Sequence, residues 1–381
     1  MSTSVIIAGV RTPIGKLSGS LAPLRAVDLG AIAIAEVLER AGIDPASVDY
    51  VVMGHVLQAG QGQATARQAA TKAGIPMSTP ATTVNKVCLS GLNSIHLADL
   101  MVRSGDADIV VAGGMESMTN APYVLPGARA GFRFGDQPVL DVIQVDGLVC
   151  AFEHVAMGEG TDHDAEAARI SRERQDDLAL KSHLRAADAI ASGRLGEEIV
   201  PVTVTDKRAS VVVETDEGVR ANTTADKLAA LKPAFNPNGA VTAGNASQIS
   251  DGAAAVIVTS RQRAEELGVE PLCELVSYGQ VAGPDVSLLT QPSRAILDAT
   301  KRGGISLSDI DLFEINEAFA AVSAASIEDL GIDDDVVNVN GGAIALGHPI
   351  GMSGARLALT LAYELRRRGG GTGAAALCGG G

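Results

Sequence analysis

Few residues in this chain carry obvious covalent chemistry, and one cysteine among them stands in an unusual setting. Cys88 lies within Asn85-Lys86-Val87-Cys88-Leu89-Ser90-Gly91-Leu92, after the β-branched run Thr82-Thr83-Val84 and before an apolar stretch with helical spacing from Leu92 to Val102. The pattern predicts a strand end, a tight turn and a helix start. A sulfur there faces free backbone N–H groups and the positive end of the helix dipole, a setting that favours thiolate over thiol. A free cysteine is more often a small buried hydrophobe. Cys88 therefore gains weight only from partners elsewhere in the chain.

Three such partners stand in the last third of the sequence. Asn316-Glu317-Ala318-Phe319-Ala320 follows the strand-like Leu312-Phe313-Glu314-Ile315. His348 lies in Asn340-Gly341-Gly342-Ala343-Ile344-Ala345-Leu346-Gly347-His348-Pro349-Ile350-Gly351, where dense glycine implies backbone packed closely around the ring or a ligand. Leu377-Cys378-Gly379-Gly380-Gly381 offers a second cysteine beside glycine amides. Cys88, Asn316, His348 and Cys378 are each expected at the C-terminal end of a strand. In open α/β sheets such ends meet at a ligand crevice.

The elements that must position these groups alternate in type. Val5–Val10 reads as a buried strand and Arg11–Lys16 as the turn after it. Leu29–Arg40 has helical periodicity ending at Gly42, and Val48–Val56 is the next strand. Ala64–Ala73 reads as a helix stopped by Gly74 and Pro76, and Ile109–Gly114 as a further strand. This alternation predicts an α/β layered fold. An internal repeat supports two similar halves. Arg40–Asp49 recurs in character as Arg302–Asp311, and Ser90-Gly91 recurs as Ser353-Gly354 at almost the same offset, each pair opening a helix. Ala112-Gly113-Gly114 then corresponds to Cys378-Gly379-Gly380. The first half spans residues 1–118 plus 250–270 and the second 271–381. Residues 119–249 form an insertion of different texture, with a polar helix over Asp164–Ser192 and a strand over Ile199–Val204. Insertions on a rigid scaffold commonly carry ligand contacts.

Composition narrows the classes. A chain of 381 residues, 46% hydrophobic and 20% charged, is globular rather than disordered. With 43 glycines, no tryptophan and 3% aromatics, its core is aliphatic and closely packed. A net charge of −15 argues against nucleic-acid and anionic-membrane partners. The four cysteines form neither a disulfide framework nor a zinc pattern, and the six histidines (55, 96, 154, 163, 183, 348) show no ligand spacing. No GxGxxG follows a strand and no phosphate loop occurs, so redox nucleotides and ATP are not expected. The N-terminus has no basic leader and no apolar run approaches spanning length; the expected location is cytoplasmic.

Taken together, Cys88-x-Ser90, Asn316-Glu317-Ala318-Phe319, Gly347-His348-Pro349 and Cys378-Gly379-Gly380 resemble the signature blocks of the thiolase family. Their order and spacing resemble its acetyl-CoA C-acetyltransferase type. The similarity covers essentially the whole chain, including Arg11–Lys16, Gly113–Met118 and Thr242–Ser247. It implies a duplicated α-β-α-β-α layered fold with the insertion as a loop domain binding coenzyme A. It also implies reversible Claisen condensation of two acetyl-CoA to acetoacetyl-CoA by a ping-pong route. By the same resemblance Cys88 is the acylated nucleophile, His348 takes its proton, and Cys378 exchanges the α-proton. One oxyanion is met by His348 with a water held by Asn316, the other by backbone N–H groups of Cys88 and Gly380. Coenzyme A and acetyl-CoA are substrates, with no tightly bound cofactor or metal. Ser247 is implied at the pantetheine arm and Arg220 at the adenine-phosphate end. Leu148, Met157, Phe235, Ala243 and Phe319 are expected to line the site, with Lys227 adding charge.

Three features depart from the family pattern. Ala156 stands where many acetoacetyl-CoA thiolases carry histidine, and Pro284–Pro292 lacks the usual Met-Gly-x-Gly-Pro, in a loop bordering the reacting end. Relatives also continue past the position of Gly381, which implies a further edge strand for the second half. Two rival readings follow: a degradative 3-ketoacyl-CoA thiolase for longer chains, and a thiolase-like protein that binds acyl-CoA or lipid without turnover. The family further implies a homotetramer, a dimer of dimers, with the aliphatic helices available as interface.

Overall fold

The computed structural model describes residues 3–206 and 209–379. β1 (Ser4–Arg11) leads into a short β2 (Gly15–Lys16) and then α1 (Ala26–Ala41). Gly42 closes α1 at φ 64°, the left-handed cap expected there. β3 (Tyr50–Gly54), α2 (Thr65–Lys72), β4 (Ala81–Val84), α3 (Ser90–Ser104) and β5 (Ile109–Ser117) follow in alternation. The inserted segment holds two hairpins, β6 (Tyr123–Val124) with β7 (Leu140–Asp141) and β8 (Val202–Asp206) with β9 (Ala209–Val213). It also holds α4 (Met157–Ala167), α5 (Arg172–Ala191) and α6 (Ala225–Ala229). β10 (Ser250–Ser260), α7 (Arg261–Leu267) and β11 (Cys273–Glu274) return to the first sheet. The chain ends through α8 (Gln291–Gly303), β12 (Leu312–Ile315), α9 (Ala320–Leu330), α10 (Ala343–Leu346), α11 (Ser353–Arg367) and β13 (Gly373–Ala376).

The first sheet runs β11-β1-β10-β5-β3-β4, with β2 paired to β10. β3 is parallel to β4 and β5, whereas β10 is antiparallel to both β1 and β5. Successive strand residues point to opposite faces, and the core divides accordingly. Val5, Ile7, Val51, Met53 and Val111 pack with Val27, Leu29 and Ile34 of α1 on one face. Ile6, Val52, Val110, Ala112 and Val256 pack on the other with Ile95 and Ala98 of α3 and Ala355 and Leu359 of α11. α11 also contacts β12 and β13, whose parallel pair packs with α8 and α9 through Phe313, Ile315, Ile296, Val322 and Ile327. The result is the expected order of layers, helix, sheet, helix, sheet, helix.

The central helix layer brings the two halves together. A Cβ on Gly91 would sit 2.7 Å from Ala355 N, and one on Gly354 would overlap Leu92 N. The N-termini of α3 and α11 therefore cross in backbone contact, which only glycine allows. The two Ser-Gly pairs of the repeat are thus the crossing point of its copies.

Several boundaries differ from expectation. The polar helix over Asp164–Ser192 is two helices, broken where Arg169 takes φ 60° and restarted where the Ser171 side chain accepts from Arg174 N. The strand expected over Ile199–Val204 begins at Val202, while Ile199 forms an isolated bridge to Arg11. The repeat is also unequal in the sheets: β5, flanked by β3 and β10, runs through Ser117, but β13 pairs only with β12 among the described residues and stops at Ala376. No helix of the described residues is long and apolar enough to cross a membrane.

Candidate active site

Cys88 follows β4 by four residues, in a turn fixed by its own neighbours. Val87 N donates to Asn85 Oδ1 at 3.1 Å, Lys86 N donates to Ser90 Oγ at 2.9 Å, and Ser90 Oγ donates to Val87 O at 2.6 Å. These bonds hold Val87 at φ 51°, a left-handed conformation costly for a β-branched residue, on the order of 1–3 kcal/mol. Ser90 thus keeps the turn that aims the sulfur.

The sulfur points at His348. Cys88 Sγ lies 3.2 Å from His348 Nε2, and His348 Nδ1 lies 2.6 Å from Ser353 Oγ. Ser353 Oγ donates its proton to Pro349 O at 2.9 Å, so it accepts from His348 Nδ1. This assigns the tautomer: Nδ1 carries the hydrogen and Nε2 presents its lone pair to Cys88. Asn316 Nδ2 reaches the same Nε2 at 3.3 Å. Asn316 is fully buried, and its Oδ1 has no hydrogen-bond partner among the described residues. A buried amide oxygen of this kind is an acceptor held for something else.

Electrostatics corrects one expectation. Burial, then the neighbouring Cys378 and the charge of Glu116, push the Cys88 thiol up, against the thiolate that its place before a helix suggests. Helix α3 begins at Ser90, and a backbone N–H at Cys88 works against these shifts. Burial, with the nearby Arg356 charge, lowers His348 to about 3. Burial raises Cys378 to about 12. These directions favour a neutral thiol facing a neutral imidazole.

The loops are held as firmly as the groups themselves. Asn316 N donates to Ala376 O at 2.9 Å, tying the end of β12 to β13 just before Cys378. Glu317 accepts from Ser182 Oγ at 2.7 Å, Asn338 Nδ2 at 2.9 Å and Ile344 N at 3.0 Å, so it anchors the approach to His348. Asn316 and Cys378 fall at strand ends as expected. His348 does not: it sits between α10 and α11, because the glycine-rich run before it forms a short helix rather than a strand. Gly380 lies outside the described residues.

The inserted segment borders this centre. Leu148 and Cys88 pack against one apolar cluster of Val56, Leu57, Met118 and Ile350. Met157 opens α4 and packs, as Phe319 does, on the core of the second half. Phe235 meets Phe319 edge to face at 6.4 Å between centroids. Ser247 N donates to Ala318 O at 3.0 Å, joining that strip to the Asn316 block. Ala243 is exposed nearby in sequence, and Arg220 and Lys227 are exposed on the segment leading through α6. Ala156 leads into α4 without a side-chain cap. The atypical loop is anchored by Leu288 and Leu289, both buried in the second core. A cavity of about 840 Å³ lies between Leu272–Gly279 and Gly373–Leu377; Leu89 and Leu377 line it, but Cys88 and His348 do not.

Three residues with roles here were not singled out from sequence. Ser353 fixes the histidine tautomer, and its spacing of five from His348 at a helix start was the available signal. Glu116 lies in the Gly113–Met118 block that shares the family resemblance, and His55 had no signal beyond its type; both are buried.

Comparison with known proteins agrees with this arrangement. Residues 4–262 match the family description "Thiolase, N-terminal domain", and residues 269–381 match "Thiolase, C-terminal domain". The chain is 53% identical over 382 residues to the probable acetyl-CoA acetyltransferase of Mycobacterium tuberculosis, covering 100% of this chain and 97% of that protein. It is 49% identical over 382 residues to the acetyl-CoA acetyltransferase of Escherichia coli K12, with the same coverage. The crystal structure of the Bacillus anthracis acetyl-CoA acetyltransferase superposes with a TM-score of 0.96 at 42% identity, over 100% of this chain and 97% of that one.

Proposed function

This chain belongs to the thiolase family, and from that premise we propose how its residues condense two acetyl-CoA molecules to acetoacetyl-CoA and coenzyme A. The enzyme is an acetyl-CoA acetyltransferase, an acyltransferase acting reversibly. The observation that carries the residue assignment is the 3.2 Å approach of Cys88 Sγ to a His348 Nε2 whose lone pair Ser353 has turned toward it.

In thiolysis, His348 takes the Cys88 proton as sulfur attacks the ketone carbon of acetoacetyl-CoA. The carbon–carbon bond then breaks, and the departing acetyl-CoA enolate takes a proton from Cys378. Acetyl-Cys88 is left; free coenzyme A gives its proton to the Cys378 thiolate as its sulfur attacks the acetyl carbon, and Cys88 leaves as it regains its proton from His348, giving the second acetyl-CoA. Condensation runs the same steps backward. His348, with a water on the free Oδ1 of Asn316, meets the enolate oxygen, and the N–H groups of Cys88 and Gly380 meet the tetrahedral oxyanion. A neutral acid–base set suits this path, since every developing charge is then matched as it forms.

Coenzyme A lies along the inserted segment, with Ser247 at the pantetheine arm, Leu148, Met157, Phe235, Ala243 and Phe319 as walls, and Arg220 and Lys227 toward the phosphates. The contact of Phe235 with Phe319 supports this path. A homotetramer in the cytoplasm completes the reading. The exposed Tyr123, Phe132, Phe134 and Phe152 of the insertion support assembly between copies.

The test is thiolysis with free coenzyme A, comparing acetoacetyl-CoA with a longer 3-ketoacyl-CoA, alongside Cys88→Ala. Faster cleavage of acetoacetyl-CoA and an inactive variant are expected. Preference for the longer substrate replaces this reading with the degradative one, and binding of both without cleavage ends the catalytic assignment.

A further inference from the structure

Not all the groups that align Cys88 with His348 can touch substrate. Glu116, near the end of β5, is fully buried; its carboxylate accepts three backbone N–H groups and lies against the His55 ring. His55 Nε2 at 3.2 Å and Leu57 N at 3.3 Å meet Oε1; Val56 N at 3.1 Å and Gly351 N at 3.1 Å meet Oε2. His55 is buried too, with Nδ1 2.9 Å from Thr65 Oγ1. Thr65 Oγ1 lies 3.3 Å from Thr83 Oγ1, on β4, the strand that leads to Cys88. Hydrogen bonds therefore join β4 through Thr65 to His55, the His55 ring lies 3.2 Å from Glu116, and Glu116 accepts from Gly351 N, three residues beyond His348.

Gly351 has no freedom to shift. A Cβ on Gly54 would lie 2.6 Å from Gly351 O, one on Gly91 3.1 Å, and one on Gly114 would overlap it. A Cβ on Gly351 itself would lie 2.9 Å from Glu116 Oε2 and 3.0 Å from His55 Cα. The His348 loop is thus wedged into the half that carries Cys88, and Glu116 is the side chain that fastens its amide there.

We propose that His55 and Glu116 act as a positioning pair, fastening the His348 loop to the Cys88 half and so fixing the sulfur–imidazole separation on which proton transfer depends. The pair rests on the reading of Cys88 and His348 as nucleophile and base. Small displacements at such a contact cost rate steeply, up to about a hundredfold for about 1 Å. A second consequence is electrostatic. The groups acting on Cys88 are Cys378, His348 and Glu116, and the Glu116 charge opposes formation of a thiolate. Sulfur therefore keeps its proton until His348 accepts it.

Two variants separate these effects. Glu116→Gln keeps an acceptor for Gly351 and Val56 but removes the charge; His55→Phe keeps a ring but removes the nitrogens that face Thr65 and Glu116. Thiolysis kcat and KM, and the pH dependence of iodoacetamide alkylation at Cys88 read by peptide mapping, are measured on protein shown folded by circular dichroism. Both variants are expected to lose about tenfold or more in kcat with KM changed less than about twofold. Only Glu116→Gln is expected to move the alkylation profile to lower pH. Folded variants with kcat within about twofold of the parent, or an unmoved profile in Glu116→Gln, overturn the proposal. Where Glu116→Gln does not fold, His55→Phe decides through kcat alone. An active Cys88→Ala sinks the underlying reading, whereas an inactive Cys88→Ala beside an unaffected Glu116→Gln sinks only this one.

Discussion

At the scale of residues, the site stores its reactivity in geometry rather than in charge. Cys88 is held as a thiol by burial, Cys378 and Glu116, while His348 is held neutral by burial and Arg356. The signs give a pH profile. A thiol raised above its usual range stays protonated as pH climbs through about 9, so alkylation of Cys88 in the free enzyme should keep rising to that pH without a plateau. An imidazole lowered to about 3 stays neutral on the acid side. kcat/KM for thiolysis should therefore show no loss assignable to His348 between about pH 5 and 8. A plateau near neutrality would show a resting thiolate instead. Sequence made the four reactive side chains legible because each sits in a short, compositionally odd block. It misread the state of Cys88, since a helix start argues for thiolate only when desolvation is small. Glu116 stood inside the resembling block Gly113–Met118 without a role, and His55 was illegible, because such residues gain a role only through contacts far apart in sequence.

At the scale of elements, glycines decide where the halves meet. Gly54 ends β3, Gly114 lies in β5, Gly91 is in the first turn of α3, and all three leave room for the Gly351 carbonyl. Gly114→Ala should therefore do more than fill a gap: its methyl overlaps the Gly351 carbonyl and crowds Met352 Cα, backbone rather than a movable side chain. We expect a loss of about 3 kcal/mol or more in stability, comparable with severe overpacking, together with a fall in kcat. Urea unfolding and thiolysis rates measure both, and a stable, fully active variant would show the seam to be looser than described. The crossing was half legible: the repeated Ser-Gly marked both helix starts, and both begin there. What the repeat could not show is that the two copies touch each other at those glycines. The break between α4 and α5 escaped for a local reason, as a non-glycine residue, Arg169, adopts the left-handed conformation there.

At the scale of the molecule, alternation and duplication made the layered α/β character and the two halves legible, and the family resemblance supplied the order of layers; in the inserted segment a polar helix and a strand were legible, while the short β6–β7 pair was not. The contact of α3 with α11 bears on how the protein comes apart. One half brings the sulfur and the other the imidazole, and their meeting point is backbone wedged between glycines with no flexible linker across it. Neither half can loosen while the other keeps a working site, so loss of function should report global unfolding rather than a local opening. In a denaturant series, thiolysis activity and far-ultraviolet ellipticity are expected to fall together in one transition. Activity lost well ahead of secondary structure would mean that the seam parts on its own, and that the catalytic contact is the least stable part of the molecule.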